Sequence, residues 1–122
     1  MNKIMANVAE TPSAAPVIET LRFELGQEIG HRGAIGLVVL DVDSTLEQEF
    51  RAILPLDGVA LYVSRITMGN QVTKESLRAM EGGIAASAAL IHPGRRLDVL
   101  AFACTSGAVA IGEARVFRRL RE

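Results

Sequence analysis

AIGLVVLDVDSTLEQEF, residues Ala34–Phe50, changes character halfway along. Ala34–Leu40 is a short apolar, β-branched run without clean alternation, the pattern of a strand covered on both faces. It ends on two carboxylates, Asp41 and Asp43, followed by Ser44 and Thr45. From there Leu46, Phe50, Ile53 and Leu54 recur at helical spacing until Pro55, with Ser44 or Asp43 available to cap the helix. A buried strand that runs through a short loop into a helix is the opening of a βαβ unit.

The same grammar repeats downstream. After an LDG turn, Val59–Ile66 (VALYVSRI) reads as a second strand. Thr73 caps a helix whose Leu77, Met80, Ile84, Ala88 and Ile91 share one face, with Gly82 and Gly83 weakening its middle. HPGRR makes a turn, Leu97–Ala103 (LDVLAFA) is a third buried strand, and CTSGAVAIGEARVFRRL opens a further loop and helix. The order βαβαβα predicts an α/β fold: a three-layer α/β/α sandwich on a short parallel sheet, a flavodoxin-like half with right-handed crossovers. In such sheets ligands bind at the carboxyl ends of the strands, where strand order reverses. Two strand tips therefore matter, DVDST after the first strand and CTSG after the third. Residues 1–30 read as a flexible leader, in which LRFEL (Leu21–Leu25) is the one alternating segment, and residues 31–122 as the organised lobe.

Composition sets the outer bounds. At 122 residues, 49% hydrophobic and 22% charged, the chain has the composition of one globular domain. Thirteen basic against 14 acidic side chains leave a net charge of -1, so no overall field favours nucleic acid or an anionic membrane surface. No apolar run reaches the roughly 18 residues of a membrane span, and MNKIMANVAETPSAAP lacks the apolar core of an export signal. A single cysteine, Cys104, leaves no disulfide framework and fits a reducing cytoplasm.

Several motifs carry little. GHRGAIG (Gly30–Gly36) has spaced glycines, but it enters the first strand, whereas a dinucleotide fingerprint follows the strand and opens a helix. No phosphate-binding GxxxxGK[ST] occurs. His31 and His92 sit at a strand entry and a helix exit without a second ligand at useful spacing, and Arg115–Glu122 (RVFRRLRE) reads as a solvated helix face.

Two readings compete for the strand tips. DVDST resembles the first motif of the haloacid-dehalogenase-like phosphatases. That resemblance would make Asp41 the nucleophile, Asp43 the general acid and base, and Thr45 a phosphate ligand. It also demands a later acidic pair to hold magnesium, and the third strand ends in Ala-Cys-Thr-Ser-Gly instead. CTSG places a thiol at the end of a buried strand, near free backbone N–H groups that stabilise a thiolate or a bound carboxylate; the plainer alternative is an inert buried cysteine.

Taken together, IGLVVLDVDSTLEQEF, VALYVSRI, TKESLRAMEGGIAASAALI and LDVLAFACTSGAVAIG resemble the N-terminal lobe of the aspartate/glutamate racemase superfamily. The nearest branch is that of maleate cis–trans isomerases and arylmalonate decarboxylases, and most closely the ectoine-utilisation proteins. The resemblance runs from about Gly33 to Gly112. It implies a cofactor-independent enzyme, without a metal, acting on a small carboxylic acid. Cys104 falls on the first of two catalytic cysteines, and Thr105 and Ser106 fall on donors to a substrate carboxylate. Arg65, closing the second strand, belongs to the same spaced set. Asp43, Ser44 and Thr45 stand where the family has an asparagine followed by two threonines, so a carboxylate replaces an amide near an anionic ligand. That departure implies a different substrate, a protonated Asp43, or no catalysis.

The family's site lies between two lobes, with its second cysteine on the other lobe. Acid and base on opposite faces of one carbon need both. The expectation is thus a truncated lobe that works with a second lobe or a second copy. The alternative, from a different class, is a non-catalytic or vestigial lobe.

Overall fold

The structure, a computed structural model, describes residues 18–54 and 57–122. The first part of the leader and the helix stop at Pro55 fall outside the described residues. Three strands, β1 (Gly33–Leu40), β2 (Val59–Ile66) and β3 (Val99–Phe102), form one sheet in the order β2-β1-β3, and both pairings are parallel. Between and after them run α1 (Leu46–Ile53), α2 (Lys74–Ala79), α3 (Glu81–Ala89), α4 (Thr105–Ile111) and α5 (Glu113–Leu120). The α/β fold expected from the alternation is present, and a flavodoxin-like arrangement is compatible with it.

β1 is the central strand because it alone is apolar enough for both faces. Leu37, Val38 and Val39 are all within 1% of complete burial although alternate side chains point to opposite faces. The chain leaves β1 towards β2 and then crosses back over β1 to β3. With right-handed crossovers, this puts α1 on one face and the α2–α3 connection on the other. On the latter face Val38, Ile66, Met80, Ile84, Ile91, Ile111 and Val116 form the core. Each such side chain stabilises the fold by roughly 1.5–3 kcal/mol through burial. The α1 face is thinner: no residue of α1 is fully buried, and Ile53 remains 78% exposed. α1 ends as its sequence requires, since Leu54, the residue before a proline, is extended (φ -82°, ψ 135°).

Three elements differ from expectation. The helix predicted from Thr73 to Ile91 breaks at Met80 into α2 and α3, although Leu77, Met80, Ile84, Ala88 and Ile91 all reach the core as the spacing demanded. The break accompanies Glu81, which is buried and draws in Arg115 and Arg119 of α5. The Arg115 guanidinium above all holds the Glu81 carboxyl below its ordinary value, with Arg119 acting in the same direction. The final helix likewise divides at Gly112, whose φ of 98° is open to glycine but strained for other residues. β3 spans four residues, not seven, because its pairing to β1 runs only from Ile35↔Val99 to Val38↔Phe102. LRFEL acquires no strand partner; Leu21, Phe23 and Leu25 are 75–90% exposed.

At the opposite end from the strand tips, His92 stacks edge-on to Tyr62, and Arg95 binds Glu28 and the Ile29 carbonyl. His31 lies against Gly58, where a Cβ would come within 2.6 Å of the imidazole and the positive φ of 70° independently favours glycine. Both histidines are exposed turn residues.

Candidate functional site

The carboxyl ends of β1 and β3 flank the point where strand order reverses. The Ala103 amide donates to the Val38 carbonyl at 2.8 Å, so the chain leaves β3 beside the end of β1 and Cys104 follows at once. Cys104 is half-buried and caps α4: its Sγ accepts from the Gly107 N–H at 3.3 Å. Gly107 permits this approach, because a Cβ there would lie 3.1 Å from Sγ and 2.7 Å from Met80 Cε.

The β1 loop is organised by its own carboxylates. Asp43 Oδ1 accepts from the Thr45 and Leu46 amides at 3.0 and 2.8 Å, so Asp43 caps α1 from two residues outside the N-cap position, which Thr45 rather than Ser44 or Asp43 holds and without a side-chain bond of its own. Asp41 turns to β2: its amide donates to the Ile66 carbonyl at 2.9 Å and its Oδ1 accepts from the Met68 amide at 3.3 Å. Ser44 and Thr45 are exposed on the loop.

Arg65 is committed to the same loop. Its Nη1 donates to the carbonyls of Leu40 (3.0 Å) and Asp43 (2.7 Å), and its Nη2 lies 3.7 Å from Glu47 of α1. This cation fastens the DVDST loop and the start of α1 to the end of β2. Its backbone carbonyl accepts from Ser87 Oγ at 3.2 Å, tying β2 to α3.

The predicted residues therefore separate into two groups. Asp43, Thr45 and Arg65 form one hydrogen-bonded corner over β1 and β2, with Ser44 exposed on the same loop. Cys104, Thr105 and Ser106 form another at the end of β3, where Thr105 and Ser106 line a cleft of about 680 Å³ between α2 and α4. Lys74 and Arg78 stand on the far wall of that cleft, a pair the sequence reading passed over. The available signal was their i,i+4 spacing in a helix capped by Thr73. A second groove of about 390 Å³ runs from Arg65 and Thr67 to Ser76, Met80 and Ser87.

Among the described residues no three His, Cys, Asp or Glu side chains converge as a metal site, and no helix is long and apolar enough to cross a membrane. Comparison of the chain with protein-family models, curated proteins and solved structures found no match.

Proposed function

We propose that this chain is the N-terminal lobe of a cofactor-independent isomerase or racemase-like enzyme that uses Cys104 on a small carboxylic acid, in keeping with a role in ectoine breakdown. It would be completed by a second lobe or a second copy. The observation that carries the reading is the position of Cys104. The thiol stands at a parallel-strand tip beside the strand-order reversal, with a backbone N–H directed at its sulfur. In this reading the thiolate removes the proton next to the carboxylate: the C–H bond breaks, S–H forms, and the electron pair passes into the carboxyl group as an enediolate. Backbone amides at Thr105 and Ser106 receive the carboxylate. The exposed hydroxyls of Ser44 and Thr45 form the other rim, held by the Asp43 cap and the Arg65 brace. Asp43 serves here to hold the start of α1, with its carboxylate turned to the Thr45 and Leu46 amides.

One thiol reaches one face of the carbon. The chain alone should therefore exchange the α-proton of a bound substrate for deuterium with retention, and racemise only when an opposing group is supplied. Proton NMR in deuterium oxide over a panel including aspartate, glutamate and methylmalonate tests this, with cis–trans conversion of maleate followed in parallel. Exchange that persists in Cys104→Ala, or none with any member of the panel, would remove the reading.

The phosphatase alternative is weakened by the loop geometry. Asp41, its nucleophile, accepts from Met68, and Asp43, its acid, is occupied by the amides of Thr45 and Leu46.

A further inference from the structure

The cleft between α2 and α4 has a composition that the thiol chemistry does not use. Lys74 and Arg78 project from one side of α2, one turn apart. Among the described residues neither lies within ion-pair distance of a carboxylate, and no carboxylate lines the cleft. Arg78 Nε donates to the Ala110 carbonyl at 3.2 Å, which holds α2 against α4 and leaves the outer guanidinium nitrogens to the cleft. The walls are apolar in part: Val72 and Val109 are 70% and 77% exposed, unusual values for valines that have a core available. The volume of about 680 Å³ is that of a small-molecule site. The groove at the end of β2 lacks this combination, because its one cation, Arg65, is already spent on loop carbonyls.

Two uncompensated cations, the exposed hydroxyl residues Thr105 and Ser106, and two bare valines describe complementarity to a small anion with an apolar body. We infer that the α2–α4 cleft binds an amphipathic anion, a carboxylate or phosphate head on a body of a few carbons. Lys74 and Arg78 take the head, and Val72 and Val109 flank the body. Cys104 does not line this cleft, and Lys74, Arg78, Val72 and Val109 have no part in the proposed thiol chemistry, although Thr105 and Ser106 border both sites.

The test is a titration of amide resonances with phenylacetate and phenyl phosphate, using inorganic phosphate as the head alone. Saturable shifts at Thr105, Ser106 and Val109 with an amphipathic probe are expected, and the tighter of the two probes names the head. Lys74→Met, which keeps the apolar stem of an exposed side chain, should weaken binding by about tenfold, the loss of one charge-assisted contact. Val109→Ser should weaken the aromatic probes and leave inorganic phosphate unchanged. The inference is overturned by the absence of saturable shifts at these amides or by equal binding to Lys74→Met. The dispersion of the same spectra reports that each variant is folded.

Discussion

Replacing Ile84 and Ile53 by alanine, one at a time, compares the same chemistry on the two sides of the sheet. Ile84 of α3 is 0% exposed and sits inside the core, whereas Ile53 of α1 is 78% exposed. For Ile84→Ala, transfer of the lost carbons costs about 2.4 kcal/mol at about 0.8 kcal/mol per methylene-sized group. A residual void of roughly 40 Å³ at ~24 cal/mol per Å³ adds about 1 kcal/mol. The sum of about 3.4 kcal/mol is a large part of the ~5–15 kcal/mol that holds a domain together. Ile53→Ala should fall within about 0.5 kcal/mol of zero, aided slightly by the better helix propensity of alanine. In urea denaturation followed by circular dichroism, with a slope of about 1.5 kcal/mol per molar, the midpoint should fall by about 2 M for Ile84→Ala and by under about 0.4 M for Ile53→Ala. Equal midpoint losses would refute the asymmetric core. A large loss for Ile53→Ala that grows with protein concentration would show α1 to be covered by a second copy.

Other expectations are narrower. Because Glu81 has a depressed carboxyl pKa in the folded protein, its contribution is complete above the ordinary value of 4.5 and is lost as pH falls through the folded-state value. Glu81→Gln should therefore lower the melting temperature at neutral pH and flatten its acid-side decline, and parallel pH profiles for the two proteins would contradict the clamp on α5. Asp43→Ala should cost about 1 kcal/mol through loss of the α1 cap, and Asp43→Asn should restore most of it; equal losses in urea melts would count against capping. Gly112→Ala meets no neighbour within 4 Å, so its cost of roughly 1–3 kcal/mol would come from the positive φ alone, measurable as a shift in the same midpoint.

What the sequence disclosed and what it concealed follow from the range of the forces involved. β1 was readable to within one residue because a run covered on both faces has few polar interruptions, and β2 to the residue because its run lies between the LDG turn and a polar loop. The apolar positions of α2 and α3 were equally plain, since helical spacing is a local property. The break at Met80 was hidden because it goes with ion pairs between Glu81 and residues more than 30 positions away. Gly112 could have signalled the second break by its residue type alone. The alternation of Leu21–Leu25 stayed within the leader and formed no strand, because alternation describes what a strand would bury and not whether an edge is there to receive it. In the site, the Asp43 cap was legible three residues ahead of its helix. The Arg65 brace and the pairing of Lys74 and Arg78 with Thr105 and Ser106 arise only when separate elements pack, and no spacing announces them.

The most direct test of the central claim uses the fact that the chain has one cysteine. Alkylation by iodoacetamide under native conditions, followed by intact-protein mass spectrometry, reads Cys104 without any substitution. A thiol at the edge of a carboxylate site should react measurably, and small carboxylates such as maleate, methylmalonate or aspartate should slow it in a saturable way. A Cys104 that reacts only after unfolding, or that reacts at one rate whatever carboxylate is added, would contradict the assignment of the β3 tip as the seat of the chemistry.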